Sequence, residues 1–178
     1  MANHRFNMRS QLAACTAFIS AMSVAVAAPL PVSPAALTGT WECGPTVMKG
    51  PQFVMSVVSV TTRAADGTFV SKSTSIITPD DQSPKTLIDA SRGTWKLEGT
   101  TLVSTFLESR FVPSEDKSVP TEIGQKILDD ELRKKSVFKS KVLDVTSKAM
   151  RSIPVDSAYP EAVVESTCRR ATAPSRPS

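Results

Sequence analysis

The dipeptide Asp66-Gly67 lies between two stretches, residues 52 to 65 and residues 68 to 78, that are dense in Val, Thr and Phe. Such residues suit a half-buried pleated surface, so each stretch is predicted to form a long strand. Asp-Gly favours the positive backbone angles of a two-residue type I′ turn. The chain therefore predicts a β-hairpin with two long arms, and the rest of the fold must be compatible with it.

A second hairpin pattern follows the first. Residues 86 to 97 and residues 101 to 111 have strand composition, and Glu98-Gly99 separates them. The proline-flanked segments 79 to 84 and 113 to 120 interrupt the strands and are predicted to be loops. Two hairpins in series predict an antiparallel meander.

The pattern becomes helical between residues 121 and 135, where apolar and charged residues occupy opposite faces. This arrangement predicts one amphipathic helix. Strand composition returns in residues 136 to 153 and 162 to 168, so we expect six or seven strands and one helix in a single domain over residues 37 to 170. The meander is expected to curl into a barrel or half-barrel, because closure hides the unpaired edges of the sheet. The apolar positions of the helix are Ile123, Ile127, Leu128 and Leu132.

Residues 1 to 27 have the pattern of a secretory signal peptide. A short basic stretch with Arg5 and Arg9 precedes an uncharged apolar run, and Ala25-Val26-Ala27 is typical of a cleavage site. The pattern predicts a periplasmic or secreted protein with no stable membrane span after processing. The alternative is a lipoprotein anchored through Cys15, since residues 12 to 15 match a lipobox, although the apolar run follows this cysteine instead of preceding it.

Cleavage after Ala27 would leave a flexible leader, residues 28 to 36, and the Pro- and Ser-rich segment 171 to 178 is expected to be a disordered tail. Loss of Arg5 and Arg9 would lower the net charge from +4 to +2. The remaining charges are spread along the chain, so we expect no nucleic-acid partner.

Two cysteines remain after cleavage, Cys43 and Cys168. In an oxidising compartment such a pair is expected to form one disulfide. Because the two positions lie 125 residues apart, the bond would remove on the order of 4 to 5 kcal/mol of unfolded-chain entropy. We therefore expect a structural disulfide between the first and last strands.

The triplet Gly-Thr-Trp occurs twice, at residues 39 to 41 and 93 to 95, and is expected to mark the fold and not a reactive site. The glycine permits a bend or a close approach, and the tryptophan supplies a large buried surface. Gly39-Thr40-Trp41 resembles the Gly-x-Trp motif of the lipocalins. Asp66-Gly67-Thr68-Phe69 and Gly93-Thr94-Trp95-Lys96-Leu97, with a following Gly turn and Leu102, are similar to small secreted bacterial lipocalin-like domains of unassigned function.

This resemblance covers about residues 37 to 170 and implies a curled antiparallel sheet around a pocket for a small apolar ligand. The helix departs from the lipocalin order, in which eight strands precede the helix. An alternative function is a protein-binding module of the cell envelope, such as an inhibitor of a secreted or periplasmic hydrolase, acting through loop 79 to 84 or loop 113 to 120. The expected pocket residues are Phe53, Met55, Val57, Phe69, Trp95 and Phe106.

Catalytic patterns are weak in this sequence. Its only histidine is His4, in the predicted signal peptide, which excludes a Ser-His-Asp triad and histidine metal sites from the processed protein. Ser136 and Lys139 match S-x-x-K, but the accompanying S-D-N and K-T-G elements are absent. The carboxylates at 80 to 81 could hold a calcium ion weakly, but no EF-hand spacing surrounds them. Those at 129 to 131 are best explained as solvated groups on the polar face of the helix. We therefore expect a non-enzymatic protein without a cofactor or metal.

Overall fold

The computed structural model describes residues 32 to 80, 82 to 134, 136 to 155, 157 and 163 to 172. The predicted signal peptide with Cys15, the start of the leader and residues 173 to 178 of the tail lie outside this range. Within it, eight antiparallel strands form a closed meander barrel, in which each strand pairs with the next and β1 pairs with β8. The strands are β1 (Gly39–Gly50), β2 (Phe53–Arg63), β3 (Thr68–Pro79), β4 (Lys85–Glu98), β5 (Thr101–Val112), β6 (Val137–Val145), β7 (Ala149–Val155) and β8 (Ser166–Arg170).

Two helices accompany the barrel in the described residues: a single turn, α1 (Pro34–Leu37), and the longer α2 (Thr121–Lys134). The predicted mainly β meander with one amphipathic helix is thus confirmed, and the sheet closes completely. Residues 34 to 36, assigned to the leader from sequence, belong to α1.

The hairpin at Asp66-Gly67 is confirmed, but its turn type is not. Among these two residues only Gly67 has a positive φ, of 84°, whereas a type I′ turn needs two such residues. The amide of Gly67 donates to the carbonyl of Ala64 (3.2 Å), and the amide of Ala64 donates to the carbonyl of Thr68 (2.9 Å). These bonds define a three-residue loop with a left-handed glycine. The Asp66 carboxylate stabilises it by accepting from the amide (2.8 Å) and hydroxyl (2.7 Å) of Thr68.

Residues 136 to 153 form two strands and not the one predicted, which brings the total to eight. The chain reverses at residues 146 to 148, where the amide of Thr146 donates to the carbonyl of Ala149 (2.8 Å). The hydroxyl of Thr146 accepts from the amides of Lys148 (3.2 Å) and Ala149 (2.9 Å). A threonine hydroxyl thus organises a turn that contains neither Gly nor Pro.

One end of the barrel is filled by packed side chains around Trp41. Trp41 and Leu37 are fully buried, and the Trp41 indole donates to the Leu37 carbonyl (2.9 Å). The Arg170 guanidinium lies 4.3 Å from the centre of the Trp41 ring. It also donates to the carbonyls of Ala36, Thr38 and Ser147, which ties α1 and the β6–β7 turn to the last strand. The core cluster comprises Leu37, Trp41, Phe69, Trp95, Leu102, Val142, Val145, Met150 and Cys168.

The glycines of both triplets lie where a larger residue would clash. A Cβ on Gly39, whose φ is 108°, would come within 2.5 Å of the Arg170 guanidinium. A Cβ on Gly93 would collide with the Thr105 carbonyl across the β-bulge between β4 and β5. The two triplets therefore mark close backbone contacts next to buried tryptophans.

The seam between β1 and β8 carries the disulfide. Cys43 and Cys168 face each other in the register of the two strands and are covalently bonded. The seam has three paired positions among the described residues, fewer than any other strand pair of the barrel. The predicted disulfide is confirmed, and it reinforces a short strand contact that closes the barrel.

Candidate ligand-binding cavity

The other end of the barrel, towards the β1–β2 turn, contains a partly open cavity of about 660 Å³. This volume is in the range of small-molecule pockets, roughly 300 to 1,000 Å³. The cavity exists because inward residues on β2 and β3 alternate with outward ones: Met55 and Val57 line it, whereas Val58 is exposed on the outer face. The apolar lining from the strands includes Phe53, Met55, Val57, Ile77, Leu87 and Phe106.

Aromatic rings connect the cavity to the packed core. The ring centroids of Phe69 and Phe106 lie 5.0 Å apart, and those of Phe106 and Phe138 lie 5.2 Å apart, both in edge-to-face contact. Phe69 is buried in the core, whereas Phe106 and Phe138 line the cavity. The rings form a continuous apolar path along the inside of β3, β5 and β6.

Hydroxyl groups form a second part of the lining. Ser73 and Ser75 on β3 face the cavity, as do Ser91 on β4 and Ser109 on β5. The Oγ atoms of Ser91 and Ser109 are 2.8 Å apart, within hydrogen-bonding distance. The cavity therefore has a hydroxyl-rich region at Ser91 and Ser109, whereas Ser75 lies between the apolar residues Val57 and Leu87 in the sheet register.

Asp89 on β4 places a carboxylate in the hydroxyl-rich region. Its Oδ2 accepts a hydrogen bond from the Ser91 hydroxyl (2.7 Å). Burial raises the pKa of Asp89 above its usual value, and the hydrogen bond from Ser91 opposes this shift. A partly buried carboxylate with a shifted pKa, inside a cavity, is a feature typical of binding sites.

Helix α2 forms part of the cavity wall because it covers an unpaired stretch of β5. The pairing of β5 with β6 ends at Thr105, so the following residues of β5 lack a strand partner on that side. The side-chain amide of Gln125 accepts from the Phe111 amide (2.9 Å) and donates to the Ser109 carbonyl (3.0 Å). Gly124 is buried against the Phe111 ring. The helix thereby directs Ile127, Leu128, Glu131 and Leu132 to the cavity.

A smaller cavity of about 460 Å³ adjoins the first and shares Met48, Val57, Glu131 and Phe138 with it. Lys134 and Lys139 line this smaller cavity, and Lys134 forms an ion pair with Glu131 (3.0 Å). The basic lining residues thus belong to the smaller cavity and not to the one that contains Asp89.

Of the six predicted pocket residues, the structure brings four together in the larger cavity: Phe53, Met55, Val57 and Phe106. Phe69 and Trp95 belong to the packed core instead, with exposed fractions of 4% and 7%. Their side chains enter the barrel, but at its filled end. The Trp95 indole donates to the Ala64 carbonyl (3.0 Å), which fixes it at the base of the first hairpin.

Sequence reasoning did not identify Asp89. Its signal was the alternation Leu87-x-Asp89-x-Ser91, which places the acid on the same face as a buried leucine. A single acidic residue in a strand is expected to be solvent-exposed unless its alternation with a buried residue such as Leu87 is taken into account.

Two other acidic residues, Asp130 and Asp116, form interactions on the surface of the protein. Asp130 pairs with Lys126 and Arg133 on α2. Asp116 in loop 113 to 120 accepts hydrogen bonds from Ser114, Ser118 and Thr86, which together lower its pKa and attach the loop to β4. No group of acidic, Cys or His residues suited to a metal ion occurs in the described part of the chain. Asp81 lies outside that part.

The fold and cavity together define a closed eight-stranded antiparallel barrel with an internal pocket. No protein-family model matches this chain, and no curated protein sequence shows significant similarity to it. Over the described residues, no helix combines the length and apolar character required to cross a membrane.

Proposed function

We propose that this protein is an exported, lipocalin-like binding protein that holds a small, largely apolar ligand inside its barrel and catalyses no reaction. The observation that carries this proposal is the cavity of about 660 Å³ beside a well-packed core. A cavity of this size beside a buried core favours binding over a purely structural role. The resemblance of Gly39-Thr40-Trp41 to the lipocalin motif agrees with it.

Export is supported by the signal-peptide pattern and is compatible with the disulfide between Cys43 and Cys168. We expect the full chain, expressed in a Gram-negative bacterial host, to be recovered from the periplasm or medium with a mass that begins at Ala28. Intact mass spectrometry with and without reductant measures the cleavage site and the disulfide. Retention of residues 1 to 27, or a lipid on Cys15, would contradict this part of the proposal.

Binding is tested with a neutral, environment-sensitive dye such as N-phenyl-1-naphthylamine. The purified protein should enhance the dye's fluorescence, and replacing Val57 by Trp should weaken dye binding by about tenfold because the indole fills the cavity. Val58→Trp is the matched control, since Val58 is the next residue on the same strand and its side chain is exposed outside the barrel. A folded wild type that binds no dye, or equal binding by the two variants, would contradict the proposal.

A further inference from the structure

The cavity that contains Asp89 has an uneven distribution of charge. Its described lining includes two acids, Asp89 and Glu131, and no Lys or Arg. Glu131 lies on α2 and is paired with Lys134 (3.0 Å), so its charge is balanced within the helix. Asp89 forms no ion pair in the described part of the chain. Asp89 therefore contributes a negative charge to the cavity that no described cationic side chain neutralises.

The neighbours of Asp89 on the adjacent strands are neutral. Ser73 on β3 and Phe111 on β5 face it directly in the sheet register, and Ser91 supplies its hydrogen bond. The Nη1 atom of the buried Arg63 has no hydrogen-bond partner in the described residues, and burial lowers the pKa of this residue to about 10. The causes that shift the pKa of Asp89 are burial and the hydrogen bond from Ser91, so Arg63 does not balance the Asp89 charge. Removing a carboxylate from water without a cation is costly, and a bound cation offsets that cost.

Polar groups cluster around Asp89 in the cavity, because Ser73 faces it in the register, Ser91 donates to it and Ser109 bonds to Ser91. Asp89, Ser91, Ser109 and Ser73 contribute oxygen atoms, whereas Phe53, Met55 and Leu87 contribute apolar surface. An ammonium group has several N–H donors and no acceptor, which matches one carboxylate surrounded by hydroxyls. A carboxylate ligand in the same position would place two negative charges together.

We propose that the cavity binds a cationic amphiphile, with its protonated amine against Asp89 and the neighbouring hydroxyls and its apolar body among Phe53, Met55 and Leu87. This inference rests on the proposed binding function and specifies the chemical class of the ligand. It follows from the position of Asp89, the absence of basic residues from the described lining of this cavity, and the cluster of serine hydroxyls around the carboxylate.

Three ligands with the same alkyl chain test the inference: dodecylamine, dodecanol and dodecanoate, each below its aggregation concentration. Their affinities are measured by displacement of N-phenyl-1-naphthylamine from the purified, disulfide-bonded protein. Dodecylamine should bind about tenfold more tightly than dodecanol, since its ammonium forms an ion pair with the Asp89 carboxylate that a hydroxyl cannot form. Dodecanoate should bind more weakly than dodecanol.

Asp89→Asn should remove the preference for the amine over dodecanol, because the amide keeps the size of the side chain and can accept from Ser91 but carries no charge. Glu98→Gln is the control: it removes the same charge from the same strand, but at an exposed position paired with Lys96. The amine preference should persist in this control.

The possible results separate the two proposals. If dodecanol displaces the dye but dodecylamine binds no more tightly, the cation site is refuted and the apolar binding function stands. A preference for the amine that survives Asp89→Asn would equally refute the site. If none of the three ligands displaces the dye, or the dye itself does not bind, the proposed function fails as well.

Discussion

At the scale of single residues, the ionisation of Asp89 makes the free energy of unfolding depend on pH. Burial raises its pKa in the folded state above the value in the unfolded chain. The folded protein therefore holds this proton more tightly, and the contribution of Asp89 to the free energy of unfolding falls as pH rises through the two pKa values. Asp89→Asn should raise stability at neutral pH, and the gain should vanish in acid below about pH 4. Urea denaturation of wild type and Asp89→Asn, from neutral pH to below about pH 4, measures the gain and its loss in acid.

Glu98, on the same strand, has a pKa that is shifted in the opposite direction to that of Asp89. Lys96 lowers its pKa in the folded state, so its contribution to stability is present above the unfolded pKa and is lost in acid. Glu98→Gln should therefore be neutral or slightly destabilising at neutral pH. An Asp89→Asn variant that is less stable than wild type at neutral pH would show that the hydrogen bond from Ser91 outweighs the cost of burial.

Arg170 and Arg169 are adjacent residues with different roles. The Arg170 guanidinium lies over Trp41 and donates to the three carbonyls at the filled end of the barrel. A lysine cannot reproduce this planar set of donors, so Arg170→Lys should lower the free energy of unfolding by about 2 kcal/mol. Arg169 is exposed and pairs with Glu42, and Arg169→Lys should change stability by less than about 0.5 kcal/mol. If chemical denaturation gives the same loss of stability for Arg170→Lys and Arg169→Lys, Arg170 does not have this special role at the filled end of the barrel.

At the scale of elements, α2 serves as a substitute for a missing strand partner of β5. Gln125 satisfies the Phe111 amide and the Ser109 carbonyl, which otherwise lack partners on that side. Gln125→Ala should therefore cost about 1 to 2 kcal/mol and accelerate hydrogen exchange at the Phe111 amide.

Lys126→Ala is the control for that change, because it alters the next residue of α2 and removes an exposed ion pair with Asp130. It should leave exchange at Phe111 unchanged and cost less than about 0.5 kcal/mol. If the Phe111 amide exchanges at the same rate in both variants, the helix does not protect the edge of β5 through Gln125.

The elements differ in how far sequence could predict them. Residues 52 to 111 follow local rules: β-branched runs and Gly-containing turns identified four strands and their pairing. The turn at Thr146 was missed because a side-chain hydroxyl organises it, and that role is visible only in three dimensions. The bulge beside Gly93 likewise depends on contact with another strand.

The candidate site shows the same limit. Aromatic and aliphatic residues on one strand face could be predicted to point inwards, and four of the six do line the cavity. Sequence could not tell that Phe69 and Trp95 lie at the filled end of the barrel, because depth depends on the closure of all eight strands. Nor could it show that Asp89 lacks a cationic partner, which is a property of the folded cavity.

At the scale of the whole molecule, the barrel is divided into a packed end and a hollow end. Both tryptophans, α1 and Arg170 belong to the packed end, whereas Asp89 and the serines belong to the hollow end. The packed end supplies rigid support, so the hollow end can retain buried polar groups that do not contribute to stability. This division explains how Gly-Thr-Trp can mark the fold while binding depends on other residues.

The disulfide closes the whole barrel, and its removal provides the last prediction. Cys43 and Cys168 join strands that are separated by 125 residues in sequence and share a short paired seam. Replacing both by Ala should lower the free energy of unfolding by roughly 4 to 5 kcal/mol, because the unfolded chain loses the cross-link between these two residues. Reductant should have a similar effect on wild type in urea denaturation and none on the double variant. A loss below about 1 kcal/mol would mean that the strand pairing of β1 with β8 closes the barrel without the covalent bond.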